Sequence, residues 1–309
     1  DGSGQILMYY SEDLNQWEYV TVLEQSKNKY GKMWECPDFF SLGDRQILLV
    51  SPQDMRAKGL EFHNGNNSIF IYGQYEKESH QFKREKVTSA DYGLDFYAAQ
   101  TLLTQDGRRI LIGWMQSWDA NITPASFQWS GMMTIPRELT LEHGRIYQRP
   151  VRELEKYRTD MVRYDNLSIT GSTILKNITG RVLELLVEIT GFDFEYFRIQ
   201  FAKSDEYQTF LQYNHKKRCL TIDRTHSGID RDVVCRRKME LAPIQEENSK
   251  EVLKLRILLD KYSVEVFAND GEKVMSSLFY TPLEAESIVF DSDGTACINI
   301  IKYSFGNLQ

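Results

Sequence analysis

Residues 98–115 read AAQTLLTQDGRRILIGWM, and this stretch decides the fold class. Two apolar runs, 98–104 and 109–115, are joined by Gln105-Asp106-Gly107, and Asp-Gly between such runs is a strong signal for a β-hairpin. Similar β-branched and aromatic runs, separated by turn residues, recur along the chain. They predict strands at residues 5–10, 46–51, 68–75, 182–190, 196–202, 209–213, 219–223, 253–259, 263–268 and 273–279. Because the connections are short, we expect an all-β protein with antiparallel sheets.

The composition is that of an ordinary globular protein. The chain has 309 residues, of which 41% are hydrophobic and 26% charged, so disorder, collagen and coiled coil are excluded and about two domains are expected. The longest clear apolar run, 110–115, already contains Gly113 and is far below the ~18 residues of a membrane helix. The net charge is −7 and the basic residues are scattered, so neither nucleic acid nor a membrane is an expected partner.

The segment RPVRELEKY at 149–157 predicts a domain boundary. Pro150 stands near a first helical turn, and Val151, Leu154 and Tyr157 repeat at three-residue spacing. We therefore expect one domain at 1–150, a short linker helix at 151–160 and a second β domain at 161–309. All five tryptophans fall in the first domain, which suits either a sugar ligand or core packing, and composition alone does not separate the two.

Four cysteines and five histidines show no spacing that suits a metal site or a disulfide framework. Free thiols and no bound metal are expected. No targeting signal is visible at the start of the chain, and together with free thiols this favours a cytoplasmic location; secretion is the alternative, because loss of an N-terminal segment would also remove a signal peptide.

The stretch MWECPDFF at 33–40 carries the most informative carboxylate. Glu35 stands between Trp34 and Cys36 in an otherwise apolar segment, and a carboxyl group that faces an apolar cleft suits general acid catalysis. From spacing alone, a carboxylate at a strand edge that points to water is the plainer interpretation of Glu35.

Further motifs favour the catalytic interpretation of Glu35 over the solvent-exposed one. They are SPQ at 51–53, DYGLDFYAAQT at 91–101, IGWMQSW at 112–118, MTIPREL at 133–139, YQRP at 147–150, LTIDR at 220–224, LRILLD at 255–260 and SVEVF at 263–267. Together with WECPD they resemble glycoside hydrolase family 32, the invertases, sucrose-6-phosphate hydrolases and fructan hydrolases. The resemblance extends over nearly the whole chain.

The resemblance implies a five-bladed β-propeller, of which about three blades are present, followed by a C-terminal β-sandwich. It implies hydrolysis of terminal β-fructofuranosyl bonds in sucrose, sucrose-6-phosphate or fructans by a retaining mechanism, without metal or organic cofactor. Glu35 matches the family's catalytic acid/base. Cys36, Tyr97 and Trp118 match residues of the substrate pocket, and Asp95 is expected to hold that pocket by hydrogen bonds.

One departure from the family is clear. Its nucleophile lies in an Asn-Asp-Pro-Asn-type motif, and these 309 residues contain no Asp-Pro dipeptide. We therefore expect the chain to be the C-terminal portion of such an enzyme, inactive alone, with an open propeller edge covered by preceding polypeptide or by a second copy in a homo-oligomer. A fructosyltransferase and a non-catalytic fructan-binding module are the alternatives.

Overall fold

The computed structural model describes residues 2–246 and 250–306, which are built almost entirely from antiparallel β-strands. The strands of the first half are β1 (Gln5–Tyr10), β2 (Glu18–Gln25), β3 (Met33–Leu42), β4 (Arg45–Gln53), β5 (Ile69–Glu76), β6 (Gln81–Ser89), β7 (Tyr97–Leu103), β8 (Arg109–Met115), β9 (Met132–Met133), β10 (Arg137–Glu142) and β11 (Arg145–Pro150). The strands of the second half are β12 (Arg158–Thr173), β13 (Leu183–Asp193), β14 (Tyr196–Lys203), β15 (Gln208–Asn214), β16 (Cys219–His226), β17 (Arg236–Glu240), β18 (Ile244–Gln245), β19 (Glu251–Asp260), β20 (Ser263–Ala268), β21 (Lys273–Leu278) and β22 (Ser287–Phe305). The prediction of an all-β fold is confirmed.

The first half consists of three sheets packed in succession. β1 pairs with β2, β3 to β6 form a four-stranded sheet, and β7 to β11 form a five-stranded sheet. In β4 the successive side chains alternate between two cores: Ile47 and Leu49 pack toward the five-stranded sheet, whereas Leu48 and Val50 pack toward β1 and β2. β4 is therefore buried on both faces, and its sequence reads as a continuous apolar run.

The hairpin predicted around Gln105-Asp106-Gly107 is present. β7 and β8 pair antiparallel, with Leu103 opposite Arg109. The observed bounds of β1, β8 and β20 match the predicted strands. Asn269-Asp270-Gly271 forms a 3-10 turn between β20 and β21.

In the second half, eleven described strands are connected by hydrogen bonds: nine follow one path with β22 at its centre, and β12 and β18 pair with β22 and β19 beside that path. The first part of β22 pairs with β14, its second part pairs with β13, and β12 runs along its other side. A large apolar core lies against all the longer strands of this sheet. Within the segment predicted to be a linker helix, Arg152–Tyr157 forms a 3-10 helix.

A buried ionic cluster joins the two halves. Arg137 is fully buried and donates to Asp91 Oδ2 at 3.0 Å and to Glu265 Oε2 at 2.6 Å. Ser276 Oγ donates to the same Asp91 oxygen at 2.7 Å. The backbones also approach closely here, since a Cβ at Gly93 would lie 2.0 Å from the Ser276 carbonyl oxygen. This junction fixes β10 and the segment that precedes β7 in the first half against β20 and β21 of the second.

Residues 2–246 and 250–306 contain no helix that is long and apolar enough to cross a bilayer. In the same ranges, no three His, Cys, Asp or Glu side chains are grouped so that they would hold a metal ion.

Candidate active site

A β-bulge in β3 presents the carboxylate singled out by the sequence. Glu35 lies opposite Ser51 of β4 and Asp38 lies opposite Leu49, so β3 carries one extra residue in this interval. Cys36 takes a left-handed conformation with φ of 49°, which is strained for a residue with a side chain. Pro37 has no N–H to donate to a ladder, so a bulge accommodates it. The bulge turns Glu35 out of the regular alternation of the strand.

A second bulge lies in β7, beside the first. Tyr97 is opposite Trp114 and Gln100 is opposite Ile112, which again leaves one extra residue, and Ala98 has a φ of 51°. Gln100 Nε2 donates to the carbonyl oxygen of Cys36 at 2.8 Å. The two irregular segments therefore support each other.

The Glu35 carboxylate is held through one of its oxygens. Oε2 accepts hydrogen bonds from the Tyr97 hydroxyl at 2.8 Å and from Gln53 Nε2 at 2.9 Å. No residue in the described part of the chain donates to Oε1. Because Glu35 is only half-buried, Oε1 is the oxygen that is available to exchange a proton with a bound molecule.

Tyr97 supports Glu35 from the interior. Its side chain is 0% exposed, and its hydroxyl also lies 3.0 Å from the Ser51 carbonyl oxygen. Burial, and the hydrogen bond to Glu35, raise the pKa of Tyr97. Tyr97 is therefore a neutral donor throughout the physiological range.

The thiol of Cys36 and the indole of Trp118 lie on the solvent side. Cys36 is half-buried next to Glu35, and burial together with the Glu35 charge raises the pKa of its thiol. Trp118 is 71% exposed and meets the ring of Trp114 edge to face, with centroids 5.2 Å apart. Trp114 is the cross-strand partner of Tyr97, so Trp118 is linked to the site through the pairing of β7 and β8.

Asp95 has a different setting from the other predicted site residues. It is 1% exposed, forms an ion pair with Arg224 and accepts a hydrogen bond from the Leu278 backbone N–H at 2.7 Å. The structure thus groups Glu35, Cys36 and Tyr97, connects Trp118 to them through Trp114, and places Asp95 at the junction with the second half. Asp95 belongs to the same sequence motif as Tyr97 and lies two residues before it, but its side chain has different partners.

Three side chains of this arrangement were missed by sequence reasoning. Gln53 binds Glu35, Gln100 binds Cys36, and Asp38 accepts two hydrogen bonds from Thr101. Their signal was the presence of polar side chains within the very motifs that were quoted, SPQ, YAAQT and WECPD. A motif indicates that a segment belongs to the site. The contacts of each side chain within it become visible only in the structure, where the two bulges bring them together.

Two family models match the chain. Glycosyl hydrolases family 32 N-terminal domain matches residues 1–150, and glycosyl hydrolases family 32 C terminal matches residues 153–304.

Similar proteins include a sucrose-6-phosphate hydrolase of Staphylococcus xylosus, 34% identical over 97% of this chain and 60% of that protein. A sucrose-6-phosphate hydrolase of Escherichia coli is also 34% identical, over 96% of this chain and 60% of that protein. Among solved structures, the GH32 β-fructofuranosidase BmSUC1 of Bombyx mori superimposes with a TM-score of 0.81 at 29% identity, over 99% of this chain and 61% of that chain. The chain thus spans about three fifths of the length of the relatives it matches.

Proposed function

Because the chain belongs to glycosyl hydrolase family 32, we propose that it forms part of a β-fructofuranosidase that cleaves terminal β-fructofuranosyl bonds with retention of configuration. The observation that carries the proposal is the half-buried Glu35, whose Oε2 is held by Tyr97 and Gln53 while Oε1 is left for proton transfer. The names of the relatives support a substrate among sucrose, sucrose-6-phosphate and fructans.

The step assigned to this chain is general acid and then general base catalysis. In a retaining glycosidase, one carboxyl group protonates the leaving oxygen and later removes a proton from the attacking water, while a second carboxylate about 5 to 5.5 Å away is the nucleophile. We assign the first role to Glu35. Its Oε1 gives the proton, and the bonds from Tyr97 and Gln53 keep the carboxylate oriented through both half-reactions.

The substrate contacts are assigned by exposure. The indole of Trp118 is exposed and suits stacking on the apolar face of a fructose ring, and Cys36 adjoins Glu35 at the same surface. Tyr97 and Asp95 are buried, so we assign them indirect contributions to substrate binding. Tyr97 orients Glu35, and Asp95 holds the end of the same motif through Arg224.

For the architecture, we propose that the three sheets of the first half are about three blades of a five-bladed β-propeller, in residues 1–150. They pack face to face in chain order, as neighbouring blades do. Residues 151–160 are the linker, and residues 161–309 are a β-sandwich. The sandwich is supported by β22, whose two parts pair with β14 and with β13 around one shared core.

A second copy of the chain is the proposed partner at the β1–β2 sheet. Leu7, Tyr9, Trp17 and Tyr19 of this region are about half exposed, and an apolar strand edge of this kind favours pairing. Solution mass by light scattering tests this proposal. The free state of all four cysteines supports a cytoplasmic location, which fractionation of the source cells tests.

The activity is tested by fructose release from sucrose, sucrose-6-phosphate and inulin, with proton NMR of the anomeric signal of the first product. Release of the β anomer first, and its loss in Glu35→Gln, is the expected result. Transfer of fructose to an added sugar would identify a fructosyltransferase. Saturable binding of fructose oligomers without release, in the protein that carries this chain at its natural length, would replace the proposal by a fructan-binding module.

A further inference from the structure

Two adjoining clefts lie between the loop at residues 57–64 and the strand β17. Their volumes are about 410 and 370 Å³, and they share His63, Val234 and Arg237. We call them together the His63 cleft. It is separate from Glu35, and the sequence motifs that identify the family do not include its shared residues.

Arg237 brings an unbalanced positive charge to the His63 cleft. Its Nε is buried without a hydrogen-bond partner, and in the described ranges no carboxylate oxygen lies within 4 Å of its guanidinium. Asp223 is paired with the preceding residue, Arg236, and forms no ion pair with Arg237. Burial and the nearby Arg224 lower the pKa of Arg237, which reflects the free-energy cost of this unpaired charge.

His63 has an unmet hydrogen-bonding requirement in the same place. Its Nδ1 lies 2.9 Å from the Asn64 carbonyl oxygen and 3.2 Å from Arg237 Nη2. A neutral ring nitrogen either donates to that carbonyl or accepts from Arg237, so one of the two groups stays without a partner. Burial and the Arg237 charge lower the pKa of His63 to about 4, and the ring is therefore neutral at pH 7.

The carboxylates around the cleft do not pair with the positive charge of Arg237. Asp119 and Asp232 line the second part of the cleft. Asp119 Oδ2 accepts a hydrogen bond from the backbone N–H of Asn66 at 2.6 Å, and Asp232 is exposed to solvent. Arg224, which also lines the cleft, is paired with Asp95. Glu61, which lines the first part of the cleft, accepts hydrogen bonds from the Ser89 backbone N–H and the Tyr92 hydroxyl, and none of these three carboxylates forms an ion pair with Arg237.

We propose that the His63 cleft binds a phosphate-type oxyanion on Arg237 and His63. The guanidinium fork matches the geometry of phosphate oxygens, and the anion supplies the acceptor that Nε lacks. A bound anion also favours protonation of His63, which then becomes a second charged donor. Lys238, exposed at the mouth of the first part of the cleft, adds a third positive charge. This proposal is independent of the proposed glycosidase activity.

The test is calorimetric titration of the whole protein with inorganic phosphate in a phosphate-free buffer. We expect saturable binding, weakened at least tenfold in Arg237→Gln and less in Arg237→Lys, which keeps the charge. The matched control is Arg163→Gln, because Arg163 is an exposed arginine of β12 paired with Asp165, and its substitution should leave phosphate binding unchanged. Equal phosphate binding by Arg237→Gln and the unmodified protein would overturn the proposal.

The unmodified protein provides a second test, which does not depend on whether a variant folds. Phosphate should raise the pKa of His63, followed by NMR of its ring protons, and an unchanged titration would count against the site. Glucose 6-phosphate and glucose distinguish the source of the anion. Preference for the sugar phosphate identifies a phosphorylated ligand, preference for inorganic phosphate identifies the free ion, and binding of glucose as strongly as either would refute an anion site.

Discussion

Asp38 and Thr101 join the two bulged strands of the candidate site: Asp38 Oδ2 accepts hydrogen bonds from the Thr101 backbone N–H at 2.7 Å and from its Oγ1 at 2.6 Å. Asp38 closes the bulge that presents Glu35, and Thr101 follows the bulge that begins at Tyr97. One carboxylate oxygen therefore sets the distance between the two strands that carry Glu35 and its main donor.

Replacing Asp38 by Asn should lower kcat for fructoside hydrolysis about tenfold or more, with a smaller change in KM. Hydrogen bonds to a charged group contribute about 1.5–3 kcal/mol, and here their loss displaces Glu35 without removing it. Steady-state kinetics with Asp44→Asn as an exposed control measures the effect. If Tm falls while kcat is unchanged, Asp38 has only a structural role.

In the full-length protein that carries this chain, replacing Glu35 by Gln should lower kcat about 10² to 10⁴-fold, because the amide keeps the shape and cannot transfer the proton. The far-ultraviolet circular dichroism and Tm should stay close to those of the unmodified protein. Glu18→Gln, an exposed change on β2, is the control. Near-normal turnover by the Glu35 variant would remove this residue from the acid/base role.

Replacing Trp118 by Ala should raise KM for sucrose or a fructan several-fold and leave Tm nearly unchanged, since the ring is 71% exposed and stacking contributes about 0.5–1.5 kcal/mol. Trp17→Ala provides a matched control, because Trp17 is also exposed and its only described hydrogen bond is to the Leu14 carbonyl. Unchanged KM in the Trp118 variant would show that the indole does not meet the sugar.

Replacing Arg137 by Met should lower the free energy of unfolding by about 3–5 kcal/mol, because Asp91 and Glu265 are left buried without their counter-charge. Burial already raises the pKa of both carboxyls, and the Arg137 charge opposes that effect. The loss should therefore be larger at pH 8 than at pH 5, where protonation relieves the uncompensated charge. Urea denaturation at both pH values, with the exposed Arg145→Gln as control, measures it. An equal loss at both pH values would mean that the carboxyls do not carry the penalty.

His63 should make the protein less stable in mild acid. Its pKa is about 4 in the folded state against 6.5 for an ordinary histidine, so below pH 6.5 the unfolded chain binds a proton that the folded chain does not. The contribution of His63 is lost as the pH falls from 6.5 toward 4, and it amounts to about 3 kcal/mol at most. Denaturation in phosphate-free buffer should show this decrease in the unmodified protein and in His226→Gln, but not in His63→Gln. A His63→Gln variant with the same acid dependence would assign the decrease to other groups.

The sequence was sufficient for those features that depend on local chemistry. The β7–β8 hairpin follows from Asp106-Gly107 between two apolar runs. The grouping of Glu35 with Tyr97, 62 positions apart, was instead implied by the resemblance to a known family.

It was insufficient where distant partners decide the conformation. β3 contains Pro37 and two carboxylates, and β22 contains Asp291, Asp293 and Gly294, so neither reads as a strand. β22 is a strand because strands on both sides bind its backbone, and β3, an edge strand, is held by its pairing with β4; such pairing overrides the low intrinsic preference of those residues.

The placement of Asp95 shows the same limit for a site residue. The family resemblance of the motif that it shares with Tyr97 implied a common pocket, whereas its partner Arg224 lies 129 positions further along the chain. No local pattern encodes that ion pair. The unpaired guanidinium of Arg237 was not predicted either, because no sequence pattern indicates that a side chain lacks a partner.

The position of β22 also determines when the second half becomes able to fold during synthesis. Arg158 pairs with Phe305, Leu183 with Ser304 and Phe197 with Ser292. The strands β12, β13 and β14 are therefore synthesised before β22, the last described strand, with which all three pair. Contacts of such long sequence separation form slowly, and until they do these strands have unpaired edges. A nascent chain halted before Ser287 is thus the form of this protein that most needs a chaperone.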